Sequence, residues 1–303
     1  MASLRHGVIL PGVFGTILTA AATPFDSSLA VDERATAALY THLLEHGSDG
    51  LVVSGTTGES STLTDDEKLT LVRIALRAAA GAPVIVGSGS NDTAHSVHLT
   101  RAAAELGATA ALVVTPYYNR PPREGIIGHV GAVAEVGLPV ILYNIPGRTT
   151  VNMPPDLLNE LAQIPNVVAV KQANPDLDEA RQVAETVPLA LYAGNDDMFF
   201  PVLEMGGAGV ISVASHLVGE RMRDIAAAVA RDDLDSARRM DGELADLYAA
   251  LFVTTNPILV KAALEMIGAI PSARMRLPMV EATPVQRDIL RTVLARWVPL
   301  SRV

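Results

Sequence analysis

Eight short apolar runs, each followed by a helical pattern, limit what this chain can fold into more than any other feature. They cover residues 16–22, 50–55, 83–87, 111–115, 139–144, 167–171, 189–193 and 209–213. Each run is continuous and rich in β-branched residues. A strand with one wet face alternates apolar with polar, so continuous runs suit parallel strands covered on both faces. Parallel neighbours need long crossovers, and eight right-handed strand–helix units suit a (β/α)8 TIM barrel. A doubly wound sheet is the structural rival. It shows a glycine fingerprint after its first strand, and none follows residues 16–22.

The segments between the runs carry helix punctuation. Thr64-Asp65-Asp66-Glu67 is a capping box ahead of Leu69, Val72, Leu76 and Ala79, and Gly81 is the stop. Thr93 precedes a second pattern that Gly107 stops. From about residue 231 the strand signal ends. Residues 232–251 read as a helix, Asn256-Pro257 as the N-cap and N1 of the next with Gly268 at C′, and 286–297 as the last. The expected organisation is a catalytic barrel over residues 1–230 and a C-terminal helical extension over 231–303.

The 303-residue length fits one large barrel or two ordinary domains, and 49% hydrophobic residues supply an ample core. The absence of cysteine excludes disulfides, thiol catalysis and thiolate metal sites. A net charge of −10 with no basic block argues against a nucleic-acid partner. An anionic small substrate needs a local positive site working against that field. No apolar stretch reaches the roughly 18–20 residues that span a bilayer, so no membrane partner is expected. The start, Met1-Ala2-Ser3-Leu4-Arg5-His6-Gly7, is followed by Pro11-Gly12 and makes a poor secretory signal, which fits a cytoplasmic location.

In a barrel the chemistry sits at the C-terminal ends of the strands. The sixth run closes on Lys171, after Val167-Val168-Ala169-Val170. Burial disfavours the ammonium form of a lysine, and a neutral amine can attack a carbonyl to form a Schiff base. The plainer reading is a lysine that marks where a buried strand emerges. The second run ends in Gly55-Thr56-Thr57-Gly58-Glu59-Ser60, whose hydroxyls and turn amides can bind a carboxylate or another anion. It is not a P-loop, because no Gly-Lys-Ser/Thr follows. The fifth run ends in Tyr143, which can pass a proton at a Schiff-base carbon, with Thr57 and another tyrosine completing a relay. Arg148, just beyond, suits bidentate carboxylate recognition. Gly194-Asn195-Asp196 ends the seventh run. His95 and His98 are three apart with no third ligand in sight, and Gly87-Ser88-Gly89-Ser90-Asn91-Asp92 lacks the last glycine of a dinucleotide loop. No metal and no cofactor are therefore expected. The pairs Asp65-Asp66 and Asp232-Asp233 stand at expected helix starts, where the dipole favours them.

Four motifs in order carry a resemblance. They are residues 55–60, Pro116-Tyr117-Tyr118-Asn119-Arg120-Pro121, Tyr143-Asn144-Ile145-Pro146-Gly147-Arg148-Thr149, and the sixth-strand Lys171. The chain resembles the dihydrodipicolinate synthase/N-acetylneuraminate lyase family from about residue 15 to its end. Gly209-Val210-Ile211-Ser212-Val213 and Arg276-Leu277-Pro278-Met279 belong to the match. The resemblance implies a class I mechanism in which Lys171 forms a Schiff base with pyruvate. Thr56 and Thr57 would hold the pyruvate carboxylate, and Tyr143, Thr57 and Tyr118 would pass protons. The enamine would attack aspartate 4-semialdehyde, held by Arg148, and Gly194 and Ile211 would complete the substrate pocket. It also implies that Tyr118 reaches a neighbouring subunit and that the assembly is a homotetramer, a dimer of dimers.

Arg148 and the Tyr117-Tyr118 pair favour the synthases within that family. Another 2-keto acid aldolase or a keto-deoxy-sugar acid dehydratase is the alternative, and a silent keto-acid-binding paralogue is the third. Three departures bear on this. His95 stands where lysine-regulated relatives carry an acid, and Asp65 and Lys68 stand where they carry histidines, so weak or absent lysine feedback is expected. Gln172 and Asn195 stand where acids are usual, and are expected near the second substrate.

Overall fold

A computed structural model describes residues 13–297. The start segment weighed above as a secretory signal lies outside the described residues. The strands are β1 (Ile17–Ala20), β2 (Gly50–Val53), β3 (Val84–Gly87), β4 (Ala110–Val114), β5 (Val140–Asn144), β6 (Val167–Gln172), β7 (Ala190–Ala193) and β8 (Gly209–Ser212). All neighbours are parallel, the order follows the sequence, and β1 pairs with β8 to close the barrel. The TIM barrel read from the eight runs is therefore the fold. The first run is trimmed to four residues; at its start, the Asp49 carboxylate accepts from the Thr16 and Ile17 amides.

Continuous apolarity arises because each strand buries both faces. Leu18, Val52, Ile85, Leu112, Ile141, Ala169 and Ile211 fill the barrel interior. Their neighbours Ile17, Val53, Val86, Val113, Leu142 and Val170 pack outward under the helices. Full burial stabilises each such large side chain by about 1.5–3 kcal/mol. The period of two then decides where the chemistry goes. Tyr143 lies two residues beyond Ile141, and Lys171 two beyond Ala169. Both therefore face inward at the C-terminal mouth.

The capping box forms as read. Thr64 Oγ1 accepts from the Glu67 amide, and Glu67 Oε2 accepts from the Thr64 amide at 2.9 Å. The helix Thr93–Leu106 is capped by Asp92, one residue before the threonine, and stops at the left-handed Gly107. The C-terminal helices are Leu234–Leu251, Ile258–Met266 and Pro284–Leu294. Asp233 caps the first, as its acidic pair suggested. Asn256-Pro257 departs from the expected N-cap and N1. Pro257 takes the cap position and Ile258 opens the helix, while the Asn256 side chain points away and donates to Thr57 Oγ1 across the barrel mouth. Among the described residues, no helix is long and apolar enough to cross a membrane.

One buried histidine ties the barrel to pH. His216 is 2% exposed, its Nδ1 lies 2.8 Å from the Val213 carbonyl, and its Nε2 accepts from the Ala22 amide at 3.1 Å. Both bonds suit a neutral ring protonated on Nδ1, and a second proton would break the Ala22 bond. Burial, aided by the charge of His42, pushes the His216 pKa down to about 4. An unfolded chain takes up this proton near pH 6.5, so the contribution is complete above that pH and is lost as pH falls towards 4. A shift of that size corresponds to about 3 kcal/mol. Urea unfolding between pH 6.5 and 4 is expected to lose stability more steeply in the wild type than in His216→Gln. Parallel slopes would refute this reading of His216.

Candidate active site

Lys171 is 5% exposed, and its Nζ lies 4.5 Å from the centre of the Tyr143 ring. The two residues are direct partners in the β5–β6 register. The pairing follows from strand parity and register, not from any local motif. It seats the amine over the ring face, a favourable position for a cation.

A cavity of about 920 Å³ has Thr56, Tyr118, Tyr143 and Arg148 in its walls. Lys171 does not line it and reaches it through its contact with the Tyr143 ring. Thr57 is 3% exposed and lies beside the same mouth. Ile211 is fully buried in the barrel interior, paired with Leu18. Gly194 follows β7, and its amide donates to the Gln172 carbonyl at 2.7 Å. A Cβ there would stand 2.8 Å from the Ala173 Cα and backbone nitrogen, so glycine is required for β7 to pass this close to the strand bearing Lys171.

The loop at residues 55–60 spends several of its amides on itself. Gly58 and Ser60 donate to the Gly55 carbonyl, and Glu59 donates to Thr56. An anion is thus left to the Thr56–Thr57 stretch, not to the whole turn as the sequence suggested. Glu59 adopts a left-handed φ of 57°. Its carboxylate is held by the buried Lys261 Nζ at 2.7 Å and by the Arg276 amide at 3.2 Å. Burial drives the Lys261 pKa down, and Glu59 opposes that shift. Residues of the C-terminal region therefore hold the loop that carries Thr56 and Thr57.

Arg148 sits on the short turn Pro146–Thr149 and donates to Thr255 Oγ1 at 3.1 Å and to the Asn256 carbonyl at 3.2 Å. Asn256 Nδ2 in turn donates to Thr57 Oγ1 at 2.9 Å. Tyr118 is 89% exposed at a left-handed φ of 70°. Exposing so large an aromatic ring at the rim of the mouth invites coverage by another surface.

Two expectations need correction. Gln172 has the parity opposite to Lys171 and faces out of the barrel, where it is fully buried. Its side-chain oxygen accepts from Asn144 Nδ2 at 2.8 Å, and its Nε2 donates to Glu179 at 3.0 Å. It belongs to a structural network and not to the second-substrate region. After Asn195 the acid is displaced by one residue. Asp196 is 2% exposed and accepts from Ser212 Oγ at 2.5 Å and from the Val213 and Ala214 amides. Burial raises its pKa, while those bonds and the nearby charge of Lys171 oppose the rise. Asn256 and Lys261 were missed near the site, while Glu59 and Asp196 stood in the strand-end segments without a role of their own. Asn256 carried a local signal, but for a helix cap.

The dihydrodipicolinate synthetase family model matches residues 13–296. The chain belongs to this family. The 4-hydroxy-tetrahydrodipicolinate synthase of Cyanothece is 44% identical over 286 residues, covering 93% of this chain and 97% of that one. The crystal structure of a dihydrodipicolinate synthase from Cyanidioschyzon merolae with lysine bound superposes at a TM-score of 0.90, with 40% identity over 93% of this chain and 97% of the other. A monomeric dihydrodipicolinate synthase variant superposes equally well, at 0.90 and 40% identity over 93% of this chain and 96% of the other. Membership in the synthetase family places these residues in a fold that such enzymes share, so the roles of the side chains can be argued from geometry.

Proposed function

We propose that this chain is a Schiff-base enzyme that condenses pyruvate with L-aspartate 4-semialdehyde to give 4-hydroxy-tetrahydrodipicolinate. The observation that carries the reading is the buried Lys171–Tyr143 pair, whose tyrosine lines the cavity. Lys171 Nζ adds to the ketone carbon of pyruvate. Loss of water gives the imine, and loss of a methyl proton gives the enamine. Tyr143 is placed to move those protons, with Thr57 and Tyr118 as the other relay members. Thr56 and Thr57 take the pyruvate carboxylate.

The enamine carbon then attacks the aldehyde, and the amine of the second substrate closes the ring as Lys171 is released. Arg148 stands at the rim to meet that substrate's carboxylate. Gly194 and Ile211 complete the pyruvate pocket. Arg148 supplies local positive charge for a substrate carboxylate in a chain of net charge −10. The condensation assay with both substrates tests the reading. Turnover of a keto-deoxy-sugar acid with none of the semialdehyde would replace it by the aldolase or dehydratase alternative. Gln172, now structural, no longer favours that alternative.

Residues 1–230 act as the barrel and residues 231–303 as a helical region that completes the site, in a homotetramer built as a dimer of dimers. Exposed Tyr118 supports a partner at the mouth, and sedimentation at assay concentration tests the assembly. Lysine feedback is weak or absent in this reading. Asp65 pairs with His95 Nε2 at 2.9 Å and with Lys68 at 3.3 Å, so the carboxylate is already partnered and a lysine ε-ammonium meets the Lys68 ammonium nearby. Initial rates with millimolar lysine are expected to stay within about twofold of the control, since an unpaired like-charge contact opposes binding. Strong inhibition would overturn this.

A further inference from the structure

We infer that Asn256 is a positioning residue that sets the direction in which Thr57 passes its proton. The inference rests on the Schiff-base reading above and extends it to a residue of the C-terminal region. Asn256 is 7% exposed and lies 199 positions from its partner in the chain. Its Nδ2 donates to Thr57 Oγ1 at 2.9 Å, and its main-chain carbonyl accepts from Arg148 Nη2 at 3.2 Å. One residue thus touches both the relay threonine and the rim arginine.

A hydroxyl has one proton to give and two lone pairs to accept with, while an amide N–H can only donate. In the bond to Asn256, Thr57 is therefore the acceptor. Its own proton stays free for the next group in the relay. Without Asn256 the hydroxyl would rotate freely, and a relay that must hand protons one way would spend part of its time pointed wrongly. The other half of the same amide strengthens the case. Among the described residues, Asn256 Oδ1 is buried with no hydrogen-bond partner. Unpartnered buried acceptors are rare in folded proteins, and fold stability gains nothing from keeping one. What the side-chain amide does hold is Thr57, through its N–H.

Asn256→Asp tests this in the full-length chain, because it keeps the shape and replaces the donor with an acceptor. Thr57 would then have to turn its proton towards residue 256. Asn256→Ala removes the partner altogether and serves if the aspartate variant does not fold. The expected result is a fall in kcat of about a hundredfold, the usual consequence of misplacing a catalytic group, with the KM for pyruvate changed much less. A residue acting through Thr57 must also be non-additive with it. On a Thr57→Val background, Asn256→Ala should lower kcat no further. Wild-type kcat in both Asn256 variants, or losses that multiply fully in the double variant, would overturn the inference. A wild-type chain that forms no borohydride-trapped pyruvate adduct would remove the Schiff-base reading first, and this inference with it. An adduct with unchanged kcat would remove only this one.

Discussion

Lys171→Ala is expected to lower pyruvate-dependent condensation by about 10⁴-fold or more while leaving the chain folded. Losing a covalent nucleophile removes the entire two-step route, and such losses are among the largest known for single side chains. Lys171→Arg should fail as completely. A guanidinium keeps the charge over the Tyr143 ring but stays protonated at any working pH, so it cannot add to a carbonyl. The pair of variants separates chemistry from electrostatics. If charge at the mouth were all that mattered, Arg would rescue much of the activity. Borohydride reduction of the wild type with pyruvate should add one reduced pyruvate unit to the tryptic peptide carrying Lys171, and neither variant should trap it. An adduct at another lysine, or full activity in either variant, would sink the mechanism. Circular dichroism on each variant checks that the fold survives.

Strand parity explains why so much of the site was legible. The runs at 139–144 and 167–171 place Tyr143 and Lys171 on one inner face once the strands are parallel and adjacent, and the barrel makes them so. The capping box at Thr64 and the stop at Gly107 depend on residues within a few positions, and both formed as read. What was illegible depends on distance in sequence. Lys261 reads as an ordinary residue of an amphipathic helix until that helix lies against Glu59, 202 positions away. Asn256 reads as a helix cap because the competing bond to Thr57 has no local trace. Gln172 was misplaced for a different reason. Its neighbour Lys171 faces the barrel interior, but the next residue of a strand faces the opposite side, and an acid-to-amide change there alters a hydrogen-bond network with Asn144 and Glu179. Tyr118 is the remaining case, since its ring stands 89% exposed at the mouth and meets nothing among the described residues that would reveal a role.

Removing one partner of the Glu59–Lys261 pair should be the most destabilising single change in the C-terminal region. The two side chains are 1% and 0% exposed. Lys261 Nζ also donates to the Arg274 carbonyl and lies 4.2 Å from the centre of the Phe25 ring, with the Arg276 guanidinium 4.5 Å from the same ring. Lys261→Met leaves a carboxylate buried beside one backbone amide. Stranding a buried charge in this way costs about 3–5 kcal/mol. That is a large share of the roughly 5–15 kcal/mol by which domains are stable. Glu59→Gln should cost less than Lys261→Met, because an amide oxygen can still accept from Lys261 and from the Arg276 amide. The double variant Glu59→Gln/Lys261→Met should recover part of the loss, since no unpaired charge remains. Chemical denaturation of the three variants measures each term, and a Lys261→Met chain within about 1 kcal/mol of the wild type would refute the account. The same variants report on function. Glu59 is two residues from Thr57 on a loop with a left-handed backbone, so loosening it should lower kcat even at temperatures where the chain stays folded. A loss of stability with wild-type kcat would mean that the pair holds the C-terminal helices to the barrel without setting the threonine loop.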